Sequence, residues 1–197
     1  MVNQEDPRVL RTRQLIRAAF RDLLFRKGFD TITIKDIAQQ ATINRATFYA
    51  HFEDKYALLE EITEEAFHEM IPEQVKSAGE FTDEICSQLI LATHGYIVDF
   101  YRICRMSSNS MATLVDKKIK KMLQQTIESI FLKGGTYPGA ERYYIEIMAA
   151  MTGSAIYGAA LYWLNVEDKD RVDMLADLVR PYVMNGLGLD RKGEEYR

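Results

Sequence analysis

Between Asn44 and Lys55 the chain reads NRATFYAHFEDK, and this stretch holds the side chains best suited to chemistry. Arg45 can pair with the O6 and N7 atoms of a guanine, and the Ala46 methyl can meet that of a thymine. Asn44 stands beside them. Thr47 either contacts a phosphate or caps and packs, and Tyr49, His51 and Lys55 follow it. These groups recognise a nucleic acid without making or breaking a covalent bond.

Two short helices must position them. Thr33 is a helix-starting hydroxyl, and Ile34, Ile37, Ala38 and Ala41 follow at helical spacing. Thr42 and Ile43 break that pattern, and Asn44 offers a second N-cap before a segment in which Phe48 and Phe52 form an apolar pair four residues apart. The first helix packs inward and the second shows Arg, Thr, Tyr and His outward, which is the arrangement of a helix-turn-helix whose second helix enters the major groove. Thr33, at a helix N-terminus, can present its hydroxyl and amide to a phosphate. Ahead of this pair, Ile16, Ala19, Phe20, Leu23 and Leu24 give an amphipathic helix over 8–27, with Gly28 as a left-handed C-cap and Phe29 and Ile32 closing a three-helix core.

The run Phe29, Thr33, Ile37, Ala38, Ala41, Thr47, Phe48, Tyr49, His51, Phe52, Lys55, Leu58 and Leu59 resembles the N-terminal domain of TetR-type transcriptional regulators. Beyond residue 70 the likeness is one of length and helical content. The resemblance implies that Tyr49, His51 and Lys55 grip backbone phosphates. It also implies an all-α homodimer, with a DNA-binding domain over 1–54, a long linking helix over 55–71 and a ligand-binding and dimerisation domain over 72–197. Its partners would be a palindromic double-stranded DNA operator and a small-molecule effector. Repression is the expected sign, and a regulator answering to a protein partner is the alternative.

Charge supports the division. Residues 1–52 hold nine Lys/Arg and five Asp/Glu, while 53–197 hold 16 and 24, so a head of +4 precedes a body of -8 in a chain of net -4. Arg8, Arg11, Arg13, Arg17 and Arg21, beside a helix-turn-helix, are read as facing phosphate rather than solvent alone. Cys86 and Cys104 fit neither a disulfide framework nor a metal-binding pair and are expected to be buried thiols in the cytoplasm. No cofactor or metal is implied. His51, His68 and His94 lack metal-ligand spacing, and no GxSxG, GxGxxG or P-loop occurs, so an enzyme is disfavoured.

The body supplies the other candidate sites. Phe67, Met70, Tyr96, Phe100, Met106, Met111, Met122, Met148 and Met151 could line an apolar or amphipathic pocket, because Met repacks and Tyr adds a polar tip. Residues 73–80 carry a weak pattern. The uncharged run 147–166 reaches the length of a membrane span, but its Thr, Gly, Ser and Asn content and the acidic residues at its edges favour a soluble helix with two apolar sides. In that reading Ala150, Ser154 and Gly158, with Leu175, Val179 and Tyr182 of the last helix, form a four-helix dimer interface.

Arg45→Ala is expected to lower affinity for the operator more than for random duplex, as measured by titration of both DNAs. An equal loss on both would remove Arg45 from base reading.

Overall fold

The computed structural model describes residues 6–103, 109–166 and 171–188, and every regular element among them is helical. In order these are α1 (Pro7–Lys27), a 3-10 turn (Phe29–Thr31), α2 (Ile34–Gln40), α3 (Arg45–His51), α4 (Lys55–Met70), α5 (Glu73–Ser77), α6 (Asp83–Ile103), α7 (Asn109–Gly134), α8 (Arg142–Trp163) and α9 (Val172–Gly186). They fall into two compact units. Among the described residues one comprises 6–65, 100–103 and 109–116, the other 66–99, 117–166 and 171–188, so the division lies inside α4 and crosses α6 and α7.

In the first unit, α1 starts on a capping carboxylate: Asp6 accepts from the Arg8 amide at 2.8 Å, with Pro7 in the first turn. It ends at Gly28, where φ 75° and ψ 151° replace the expected left-handed cap with an extended conformation that only glycine adopts easily. That turn throws Phe29 back under the helix, and Phe29 meets Phe20 edge-on at 6.2 Å. Ile16, Phe20, Ile37 and Phe48 have no exposed surface, and Phe29, Ile32, Ala38 and Phe52 are buried with them. Thr42, at φ 56°, makes the turn between α2 and α3. A β-branched residue there is strained, and the Ile43 amide bond to the Ala38 carbonyl at 2.9 Å helps hold it. Asp54 then starts α4, accepting from the Tyr56 and Ala57 amides, both at 2.8 Å.

In the second unit, α6 is buried over much of its surface: Leu89, Ile90 and Thr93 are fully covered, and His94 and Tyr96 nearly so, while Leu91 reaches solvent. Cys86 is buried, and burial with Asp83 nearby pushes its thiol up to about 12, which leaves it unreactive. Cys104 lies outside the described residues. The segment with the weak pattern contains α5, a short helix held by Val75, its one buried side chain. A single anchor leaves no periodicity to read. On length and composition α8 could cross a membrane, its most apolar stretch having a mean hydropathy of 1.2. Helix α8 approaches α7 at Gly153, where an added Cβ would stand 3.2 Å from both the Gln124 amide nitrogen and the Leu123 Cβ.

Gly153→Ala is therefore expected to destabilise the protein by about 1–3 kcal/mol, because one of the two neighbours is backbone. Thermal unfolding should show a midpoint lowered by several degrees, and an unchanged midpoint would mean that α7 and α8 separate without cost.

Candidate nucleic-acid interface

Helices α2 and α3 have seven residues each, too few to be stable without help, and each is fixed by its N-cap. At α2 the Thr33 hydroxyl accepts from the Asp36 amide at 3.2 Å, and the Asp36 carboxylate accepts from the Thr33 amide at 2.9 Å and its hydroxyl at 2.7 Å. These bonds, with Lys27 at 3.2 Å, hold the Asp36 carboxyl down to about 2. The amide and hydroxyl expected to meet a phosphate are thus turned to a carboxylate of the chain itself.

At α3 the Asn44 Oδ1 accepts from the Thr47 amide at 2.7 Å and the Thr47 hydroxyl at 3.0 Å. The Thr47 hydroxyl is thus turned to the side chain of the capping Asn44. Arg45, Ala46, Tyr49 and Ala50 are exposed along one side, opposite the buried Phe48. Tyr49 is 52% exposed, and its ring stands edge-on to Phe48 at 5.7 Å, which directs the phenol outward. The structure therefore adds Ala50 to the outward face. Its sequence signal is the four-residue spacing from Ala46.

His51 is half-buried, and burial followed by the charge of Arg13 holds its imidazole below the ordinary value, so at neutral pH it offers a neutral N–H and no cation. Lys55 points inward. Its ammonium donates to the carbonyls of Ile32 at 2.9 Å, Phe29 at 3.0 Å and Asp30 at 3.3 Å, and lies 4.5 Å from the Phe29 ring centroid. It ties the start of α4 to the 3-10 turn.

The arginines of α1 also depart from expectation. Arg13 pairs with Glu61, Arg17 pairs with Glu61 and with Glu65 at 3.3 Å, and Arg21 pairs with Glu65 at 2.9 Å. Three cations one turn apart on α1 face two carboxylates one turn apart on α4. Arg13, Arg17 and Arg21 are engaged within the unit, while Arg8 and Arg11 are exposed.

The expected pocket residues divide. In the second unit, Phe67 and Met122 line a cleft of about 250 Å³ with Ile71, Val75, Lys76 and Ile130. Met148 and Met151 line a different one of about 460 Å³ with Thr152, Tyr182 and Leu187. Tyr96 is buried edge-on against Phe67 at 5.4 Å, and Met70 lies beside Gly95. Phe100 and Met111 belong to the first unit, and Met106 lies outside the described residues. Of the expected interface residues, Ser154, Gly158 and Tyr182 are exposed and Ala150 and Val179 half-buried, but Leu175, at 2% exposure, is consumed by the core of its own chain. The exposed face of α8 and α9 carries in addition Ile147, Met151, Tyr162 and Leu178, at 52%, 62%, 74% and 63% exposure.

Residues 15–62 match the family model described as bacterial regulatory proteins, tetR family. Over 69 residues the chain is 42% identical to the uncharacterized HTH-type transcriptional regulator YxbF of Bacillus subtilis, covering 34% of this chain and 18% of that protein. Over 60 residues it is 40% identical to DhaS of Lactococcus lactis, an HTH-type dhaKLM operon transcriptional activator, covering 30% of this chain and 32% of that protein. The matched stretch is thus under a third of either relative's length. Among solved structures, a TetR-family regulator from Streptomyces coelicolor aligns over 94% of this chain and 99% of its own at a TM-score of 0.63 and 18% identity. The regulator FadR of Bacillus subtilis, in complex with stearoyl-CoA, aligns over 88% and 98% at 0.52 and 16%. At those identities the likeness is one of fold.

Lys55→Met is expected to destabilise the protein by about 2 kcal/mol, because three carbonyls lose a charged donor. It should leave the dependence of DNA affinity on salt unchanged. A slope of log affinity against log salt shallower by about one unit would instead identify Lys55 as a phosphate contact.

Proposed function

From the match of residues 15–62 to the tetR family of bacterial regulatory proteins, we propose that this chain is a cytoplasmic homodimeric repressor of that family that reads a palindromic operator with α3 and releases it on binding a small effector. It is a DNA-binding transcriptional regulator, and no catalytic role is assigned to it. The observation that carries the reading is the outward face of α3, where Arg45, Ala46, Tyr49 and Ala50 are exposed on a helix fixed by its cap and by buried Phe48. Residues 1–54 act as the reading head, 55–71 as the linking helix and 72–197 as the body. Arg45, Ala46 and Asn44 read bases. Tyr49 and neutral His51 meet phosphates, a Thr33 contact requires displacement of its present Asp36 partner, and Lys55 stays bonded to the carbonyls of the 3-10 turn.

The second copy is proposed to cover the apolar face of α8 and α9, where Ser154, Gly158 and Tyr182 stand with Ile147, Met151 and Tyr162. A contiguous exposed patch of this kind marks an interaction surface, and a two-fold dimer would set the reading helices about 34–36 Å or a multiple apart. The effector is proposed to be compact and amphipathic. The cleft around Phe67, Ile71 and Ile130 is apolar at its buried walls and has Lys76, Gln125 and Ser129 at its edge, and at 250 Å³ it is below the ordinary range of ligand sites. Effector and operator each favour a different separation of the reading helices, so each weakens the other by the same factor. Activation is the second reading, favoured by the activator DhaS at 40% identity through the head.

Selection of bound sequences from random duplex DNA by the purified protein, at two salt concentrations, tests the proposal. A two-fold symmetric site enriched at both is the expected result. Recovery of no motif, with binding lost at moderate salt, would reduce the interaction to nonspecific charge attraction and overturn the reading.

A further inference from the structure

We propose that Arg13 is a positioning residue for DNA recognition, and that its pairing with Glu61 makes α4 part of the device that aims the reading helix. The inference rests on α3 being the helix that reads DNA. Arg13 sits on α1 and places one planar guanidinium against two further elements. Its Nη1 donates to the carbonyl of His51, the last residue of α3, at 3.0 Å. Its Nη2 donates to the carboxylate of Glu61 on α4. Its guanidinium carbon lies over the ring of Phe52, the residue that closes α3, at 4.5 Å from the centroid.

Each contact constrains a different freedom of a short helix. The carbonyls of the last turn of a helix have no partner within it, and Arg13 supplies one to the final carbonyl of α3. The cation–π contact with Phe52 holds the guanidinium over the end of α3, and the ion pair fixes its second arm to α4. Helix α3 is only about 10 Å long at 1.5 Å per residue, so a small shift at His51 turns Arg45 and Ala46 at the other end through a comparable distance. Base pairing is intolerant of such a shift, whereas phosphate attraction is not. Glu61 is itself held by Arg17, and Glu65 by Arg17 and Arg21, so the anchor of Arg13 is shared along the row. Arg13 and Glu61 expose 21% and 29% of their side chains, which leaves the pair less screened than a surface one. Arginine suits the position because its rigid fork can satisfy two acceptors at once, which a lysine ammonium at the same site cannot do in one geometry.

Were Arg13 a phosphate contact, the same residues would behave oppositely, and the test uses that opposition. Full-length wild type, Arg13→Gln, Arg13→Lys and Glu61→Gln are titrated with the site recovered by selection and with random duplex, over a series of salt concentrations, and each is checked by thermal unfolding. Under the proposal, Arg13→Gln and Glu61→Gln each lower the ratio of selected-site to random affinity about tenfold, the size expected for one charge-assisted hydrogen bond. The salt slope is unchanged, and Arg13→Lys does not restore the ratio. A phosphate contact predicts instead that Arg13→Gln weakens both DNAs alike with a slope shallower by about one unit, that Arg13→Lys rescues, and that Glu61→Gln tightens binding to both. That pattern overturns the proposal, as does a lowered melting point with the ratio intact, which would leave a purely structural clasp. Should Arg13→Gln fail to fold, the sign of the Glu61→Gln effect decides between the two. Wild-type protein that does not distinguish the two DNAs would overturn the reading of α3 itself.

Discussion

A seven-residue helix makes too few internal hydrogen bonds to offset the entropy of forming it, so α3 persists because its ends and one face are held from outside. Asn44 satisfies the first turn, Phe48 and Phe52 bury its inner face, and the Arg13 guanidinium takes its last carbonyl. The remaining side is free to carry Arg45, Ala46, Tyr49 and Ala50 outward. Every other feature of the first unit follows from this need for outside support. The glycine turn at Gly28 brings Phe29 beneath α1, Phe29 meets Phe20 and Tyr56, and Lys55 closes the carbonyls of that turn from α4. A rigid frame is built around a helix that cannot supply its own rigidity.

That frame changes the meaning of the charge distribution. Counted to residue 52 the head is +4, but counted to Glu65 it holds ten basic and eleven acidic residues, net -1. The difference lies mostly on α4, whose Glu61 and Glu65 pair with three arginines of α1. Phosphate attraction therefore depends on where the remaining cations stand, not on a sum. Arg8, Arg11, Lys35 and Arg45 are exposed, and only Arg45 belongs to α3. A head organised this way exerts little long-range attraction on a polyanion, so recognition there would rest on placement.

The sequence made the local devices legible. Thr33 and Asn44 declared two N-caps, Phe48 and Phe52 declared the inner face of α3, and Gly28 declared a break, though not its backbone angles. These are signals within one turn of their own residue. What stayed hidden was long in separation: Arg13 and Glu61 lie 48 residues apart, and no spacing rule links them. The family resemblance marked Lys55 as a phosphate ligand, but position and charge do not fix direction, and it turns inward to three carbonyls. Leu175 and Tyr182 share an apolar pattern on α9, yet one is 2% and the other 74% exposed. Periodicity locates a stripe, and which part of the stripe meets the chain's own core depends on α8 packing beside it.

Helix α4 carries the remaining constraint. Glu61 and Glu65 lie one turn apart and face the arginines of α1, and farther along the same helix Phe67 and His68 line the cleft. One continuous helix thus holds the carboxylates that anchor Arg13 and the ring that walls the cavity. A ligand in that cleft can act on DNA binding only if it is bound with different free energy in two placements of α4, since equal affinity for both would shift nothing. The ion pairs set the scale of what it must overcome. They are partly exposed, so each is weak alone, but shared carboxylates oblige neighbouring pairs to reorganise together.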